Sequence, residues 1–196
     1  MLCYPDNRFV GAGHLLDAGE QLTATVASQN REQGTFRHGS SNFNYRHQFR
    51  EKGPELTASL DYLAYHTTTD QTFATITTSP AGIVTAQDYL IGQLPAAIRI
   101  YAAKADYSHP LAVGRRVEAG AKASYITTDN VADYFNATAA PPTPDYDKTN
   151  HFQYQEGLNA AYLNVNKDWA RLSLQAGLRL EQTLSQGHQL GNPLKT

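Results

Sequence analysis

Cysteine is close to absent from this sequence. A single Cys3 among 196 residues excludes an internal disulfide framework and any cysteine-rich zinc site. An excess of one charge is missing too: 16 Lys and Arg against 18 Asp and Glu leave a net charge of -2. Such a balance has no electrostatic footprint for nucleic acid. Nor does any apolar run approach the ~20 residues that a membrane-spanning helix needs. The start, Met-Leu-Cys-Tyr-Pro-Asp, has no basic n-region and no apolar h-region, so no signal peptide is read here. Either the protein stays in the cytoplasm, or the natural chain starts upstream of Met1. Cys3 is then a free thiol, because no signal sequence precedes it to make it a lipoprotein cysteine.

Catalytic and ligand motifs are equally scarce. The seven histidines (His14, His38, His47, His66, His109, His151 and His188) form no metal-ligand pair at helical spacing. There is no Gly-x-Ser-x-Gly elbow, and Gly11-Ala-Gly13 lacks the lysine and spacing of a phosphate loop. The sequence therefore predicts no metal, no cofactor and no enzymatic activity. Mean hydropathy is below zero, which on its own describes a soluble protein. A transmembrane β-barrel escapes such averages, because half of every strand is polar.

What the sequence does contain is alternation with a period of two, the mark of strands with differently solvated faces. Over 171–181 one face carries Leu172, Leu174, Ala176, Leu178 and Leu180, and the other Arg171, Ser173, Gln175, Gly177, Arg179 and Glu181. A helix would scatter those leucines around its circumference. The split recurs with Val117, Ala119, Ala121, Ala123 and Tyr125 against Glu118, Gly120, Lys122 and Ser124. Tyr101, Ala103, Ala105 and Tyr107 oppose Lys104 and Asp106, while Leu56, Ala58, Leu60 and Tyr62 oppose Thr57, Ser59 and Asp61. Phe43, Tyr45 and Phe49 oppose Arg46 and Arg50, with His47 on the aromatic side. Eight strands are predicted, at 7–16, 21–29, 41–50, 55–66, 97–109, 115–128, 151–165 and 169–183.

Their connections alternate in length. Segments 17–20, 51–54, 110–114 and 166–168 are tight turns; 30–40, 67–96 and 129–150 are long and rich in Thr, Ser, Asn, Gly and Pro. A further hairpin fits inside 67–96, where Phe73-Ala-Thr-Ile76 is strand-like. Short turns at one end and long loops at the other is the layout of an outer-membrane barrel. The predicted fold is all-β: an antiparallel meander of about eight long strands in one domain over 1–196, part of a transmembrane β-barrel or a small closed one.

On that fold the leucine-rich face is expected to meet lipid, through Leu56, Leu60, Tyr107, Val117, Tyr125, Leu172, Leu174, Leu178 and Leu180. The charged face, with Arg46, Asp61, Lys104, Asp106, Glu118, Lys122, Arg171, Arg179 and Glu181, points to bulk water in a soluble sandwich and to the lumen in a barrel. The segregation of loops favours the lumen. Lys104 and Asp106 are expected to face Lys122 and Glu118 across a hairpin. Tyr101, Tyr107, Tyr125, Tyr162 and Trp169 sit near strand ends, where rings with polar tips suit the lipid–water interface. Glu156 shares parity with Phe152, Leu158, Ala160 and Tyr162 and so would face lipid, unless it lies above the apolar band or Gly157 marks a bulge. Segment 129–150, with Tyr134, Phe135 and Tyr146, is a candidate extracellular ligand loop.

Several stretches resemble a known family. They are Lys104-Ala-Asp-Tyr-Ser-His-Pro-Leu111, Glu118-Ala-Gly-Ala-Lys-Ala-Ser124, Phe152-Gln-Tyr-Gln-Glu156 with Ala160-Ala-Tyr162, and Ser173-Leu-Gln-Ala-Gly-Leu-Arg-Leu-Glu181. Together with 42–50 and 56–62 they are similar to the outer-membrane β-barrel proteins of TonB-dependent-receptor-like type from Bacteroidetes, over about residues 40–187 and more loosely over 7–39. The resemblance implies a Gram-negative outer-membrane location, outer-membrane lipid as surroundings, and ligand uptake driven by the TonB system. It further implies a plug domain and a larger barrel as partners, so that this chain is a piece from the middle of the barrel. A self-contained eight-stranded barrel with an adhesin or structural role is the alternative.

Overall fold

The computed structural model describes residues 2–3, 6–111 and 114–191. The strands are β1 (Leu2–Cys3), β2 (Asn7–Leu16), β3 (Leu22–Gln48), β4 (Glu55–Thr78), β5 (Val84–Leu111), β6 (Arg115–Asn136), β7 (Thr143–Pro144), β8 (Asn150–Asp168) and β9 (Ser173–Gln189). All belong to one antiparallel sheet in the order β1-β3-β4-β5-β6-β8-β9, with β2 also on β3 and β7 on β6. No helix among the described residues is long and apolar enough to cross a membrane, which leaves crossing by strands untouched.

The meander is the one the alternation predicts, but its strands run much further. β3, β4 and β5 have 27, 24 and 28 residues, where a membrane crossing uses ~9–11. The segment 30–40, expected as a loop, is the middle of β3, so the strands expected at 21–29 and 41–50 are one. Segment 67–96, also expected as a loop, continues β4 and β5, which stay paired from Glu55↔Ser108 up to Thr78↔Val84. Phe73–Ile76 thus prolongs β4 instead of starting a new hairpin. Thr and Asn hide these extensions: threonine favours strands as strongly as apolar residues do, but a threonine on each face erases the alternation. The hairpin expected at 166–168 closes three residues later, where the Trp169 N–H donates to the Leu172 carbonyl at 2.7 Å. Arg171 and Leu172 therefore lie in a turn and on neither strand face.

The sheet is a single layer. Ala160, 8% exposed, is the only buried apolar residue among those described, while Leu178 and Leu180 are each 68% exposed. The accessible area is 13791 Å², against about 9,200 Å² for a compact monomer of this mass. No second layer dries the leucine face, so this is no β-sandwich. β9 has no partner beyond β8, and β3 has none on its far side from Arg37 to Gln48 among the described residues. Among the described residues the two sheet edges do not meet.

Glycine is required where β5 turns into β6. Gly114 has φ 67°, and an added Cβ would stand 2.5 Å from the Asp168 carbonyl oxygen. That approach serves the bond from the Asp168 N–H to the Gly114 carbonyl at 2.7 Å. Gly114→Ala is expected to cost about 1–3 kcal/mol, read as a lower urea midpoint for the chain folded in lipid. An unchanged midpoint would show that the turn relaxes freely.

Candidate functional site

The strand register sorts the charged and apolar residues onto opposite faces. Directly paired residues share a face, and one row runs Arg46, Thr57, Asp106, Gly120, Tyr162, Arg179. The next runs Ser59, Lys104, Lys122, Ala160, Glu181. Asp61 and Glu118 lie on the same face by parity. The alternate rows hold His47, Leu56, Tyr107, Ala119, Leu163 and Leu178, then Tyr45, Ala58, Ala105, Ala121, Ala161 and Leu180. Leu60, Val117, Tyr125 and Leu174 belong to this second face. Apart from Arg171 and Leu172, the structure gathers the two predicted sets on two faces without exchange.

The polar face is the more crowded. Along β8, Glu156, Leu158, Ala160, Tyr162 and Asn164 are buried or half-buried, while Gln155, Asn159, Ala161, Leu163 and Val165 are exposed. Side chains on the inside of a curved sheet converge, so this pattern marks the polar face as concave.

β8 corrects the sequence reading. Its even residues, expected with the leucines, lie on the polar face; the apolar face takes Ala161, Leu163 and Val165. Glu156 is therefore not misplaced, and it accepts a hydrogen bond from the Tyr154 hydroxyl at 2.6 Å. No bulge occurs at Gly157, which pairs in unbroken register with Tyr125. Tyr162 is not an interface ring either. It reaches across Gly120 to donate its hydroxyl to Asp106 Oδ1 at 2.6 Å. Periodicity could not reveal this, because Leu158, Ala160 and Tyr162 are apolar enough to mimic the outer face.

Ion pairs on the polar face join neighbours along a strand. Lys104 meets Asp106 at 2.7 Å, Arg116 meets Glu118 at 3.0 Å, and Arg179 meets Glu181 at 2.7 Å. The expected links from Lys104 and Asp106 to Lys122 and Glu118 do not form, since the register sets Lys104 opposite Lys122 and Asp106 opposite Gly120. A cross-strand pair does occur at the hairpin of β3 and β4, Arg46 to Glu55 at 2.7 Å. Exposed pairs of this kind contribute ~0–1 kcal/mol each.

Aromatic rows bound the apolar face. Tyr62, Tyr101 and Tyr125 are direct partners in one row, with the Tyr62 and Tyr101 ring centroids 5.1 Å apart. At the other end Phe49 packs edge-on to His47 at 4.6 Å and to Tyr107 at 6.3 Å. Lys167 lies 5.6 Å over the Trp169 ring. The ten steps from Tyr101 to Leu111 span about 33 Å along the strand, or about 25 Å at a ~40° tilt, the height of an outer-membrane apolar band.

Above the tyrosine row the faces exchange character. The concave face takes up apolar side chains, Leu63, Tyr65, Ile98, Ile100, Ile126 and Phe152, among the polar Thr128, Asn130 and Glu156, while the convex face carries Arg99, Thr127, Asp129, Gln153 and Gln155. Phe36, His38 and Tyr65 form a cluster, His38 stacking on Tyr65 at 4.7 Å. Tyr134 and Phe135, expected in a loop, are in β6. Tyr134 lies over Gly92, where an added Cβ would approach its ring to 2.8 Å, and Phe135 pairs with Ile91 and Pro144. Tyr146 alone of the three sits in the connecting loop and is exposed.

On the convex side His151 Nε2 meets Asp129 Oδ1 at 2.6 Å, and Gln153 donates to Oδ2 at 3.0 Å. The hydrogen bond from His151 holds the Asp129 carboxyl below its ordinary value of 3.8, Gln153 adding to the effect against partial desolvation. A lowered folded value means stability that is present above pH 3.8 and lost as pH falls through the folded value. The stability difference between the parent and Asp129→Asn is expected to shrink as pH falls below about 4. Acid melts of both proteins check this, and a difference that persists in acid would remove the carboxylate from the account.

Among the described residues no group of three or more His, Cys, Asp or Glu side chains is placed to hold a metal. No curated protein matches the sequence as a relative. The sequence profile of the outer membrane protein beta-barrel family matches residues 47–195, well over half of the chain. That stretch contains β4 to β9, the strands whose two faces and two aromatic rows have just been described. An antiparallel meander of tilted-length strands, apolar on its convex face over the height of a bilayer core, is the architecture of that family, and this chain belongs to the outer membrane protein beta-barrel family.

Proposed function

We propose that this chain forms a sector of the wall of a TonB-dependent-receptor-like barrel of the Bacteroidetes type, and takes part in ligand binding and uptake across the outer membrane. The convex face between the aromatic rows meets lipid, the concave charged face lines the lumen, and the long strand ends project outward from the cell. The role is non-enzymatic, and the partners are membrane lipid, the remaining barrel strands and a plug. The exchange of apolar face above the tyrosine row carries the reading. A structural wall has no use for an apolar, aromatic inner lining outside the bilayer, whereas a vestibule that receives a ligand does. The TonB connection rests on the resemblance in sequence.

The second reading is a self-contained eight-stranded barrel. Among the described residues six strands stand at the level of the leucine band, β3, β4, β5, β6, β8 and β9, because β1 and β2 pair with β3 only from Leu22 to Phe36. Single-chain barrels start at about eight, and each unpaired edge group in hydrocarbon costs several kcal/mol. Electrophoresis in mild detergent separates the readings. A sector shows no compact form that unfolds on boiling; a heat-modifiable band from the chain alone would overturn the proposal in favour of the small barrel.

A further inference from the structure

Two hollows lie one above the other on the convex face, and they differ in chemistry. The lower, about 650 Å³, lies within the apolar band and is lined by Phe43, Leu60, Tyr101, Ala103, Ala123 and Gly157, with Ser41 and Asn159 as polar neighbours. The upper, about 210 Å³, lies just above the tyrosine row and is lined by Arg99, Thr127, Asp129, Gln153 and Gln155. The row of rings between them is interrupted at Gly157, which follows Tyr125 in the register and has nothing within 4 Å of where a Cβ would stand. At the border the Tyr125 hydroxyl donates to Gln155 Oε1 at 3.0 Å.

We propose that these hollows together bind one membrane lipid with an anionic phosphate headgroup, its acyl chain in the lower groove and its phosphate against Arg99. This rests on the reading of the convex face as lipid-facing. The arrangement is amphipathic in the right direction, apolar inside the band and cationic at headgroup height. Arg99 offers a planar donor fork suited to phosphate. Arg37 and His66 stand on the same face one row higher, paired with each other and with Ala97, and add positive charge. Asp129 is the opposing carboxylate, but its two oxygens are already engaged by His151 and Gln153. The gap at Gly157 lets a chain pass from one hollow to the other beside the tyrosines that β4, β5 and β6 place in this row.

The test uses the complete barrel that contains this chain, folded in phosphatidylcholine vesicles, with spin-labelled phosphatidylglycerol or spin-labelled phosphatidylcholine as probe. Phosphatidylglycerol is expected to be immobilised at the protein about tenfold more strongly than phosphatidylcholine, equivalent to about 1.4 kcal/mol. Arg99→Gln should abolish that preference, and Arg99→Lys should keep part of it. Gly157→Leu, whose Cβ meets nothing within 4 Å, should weaken both lipids by closing the gap. Equal immobilisation of the two lipids in parent and variants would overturn the proposal, as would displacement of the lipid by millimolar glycerol phosphate, which would make this a site for free phosphate. A nitroxide at Leu180→Cys, with Cys3→Ser, separates the two levels of inference. A label in water defeats the lipid-facing reading itself, whereas a label in hydrocarbon without lipid preference defeats this proposal alone.

Discussion

Leu180→Arg is expected to destabilise the folded wall by about 2–4 kcal/mol in a bilayer, the cost of a cation near the midplane of a lipid-facing surface. Leu180 lies midway between the two aromatic rows, in a row with Ala58, Ala105, Ala121 and Ala161, and no neighbour there offers a carboxylate. Glu181→Gln, one residue on and on the opposite face, is expected to change stability by less than about 1 kcal/mol. It removes only an exposed partner of Arg179, bonded at 2.7 Å. The comparison is made by urea unfolding from lipid vesicles. Equal effects of the two substitutions would mean that both faces meet water, and the assignment of lipid to the convex face would fall.

Gly120→Val carries the second large effect, for a reason confined to the concave face. A Cβ at this position would stand 2.3 Å from the Tyr162 ring and 2.5 Å from Asp106 Oδ1, because the tyrosine lies across the bare backbone to reach the carboxylate. Valine forces the ring away and breaks the hydroxyl–carboxylate bond at the same time. Overpacking costs about 1–3 kcal/mol, and loss of a hydrogen bond to a charged group about 1.5–3 kcal/mol. The expected total is about 2.5–6 kcal/mol, again by urea midpoint. Tyr162→Phe removes the bond without the clash and should show only the second part. Were Tyr162→Phe as damaging as Gly120→Val, the steric account of Gly120 would be wrong.

Much of this protein was legible in its residues because a β-strand has a period of two. Leu174, Leu178 and Leu180 against Arg179 and Glu181 require one face for each set whatever the strand pairs with, and the register preserves that division across six strands. The tight hairpins around Gly53, Gly114 and Trp169 belong to the same local physics, within three residues of where composition puts them. Alternation says nothing where both faces are polar, which is why 30–40 and 67–96 resembled loops. Their strand conformation is held by neighbours on both sides, a non-local cause: β3 lies between β2 and β4, and β4 between β3 and β5.

Tertiary structure alone decided which side of an ambiguous strand joins which face. In β8 both parities are apolar enough to qualify, and only the pairing of Tyr162 with Gly120 and Arg179 placed that tyrosine beside Asp106. The same holds for the exchange of apolar face above Tyr62, Tyr101 and Tyr125. Each strand carries the change as a local shift of parity, but the shifts become a lining only when the register aligns them at one height. A single cysteine excluded an internal disulfide and a cysteine-rich zinc cluster, because those depend on residue types being present. Height along a barrel depends on which residues stand side by side, and that is a property of the sheet.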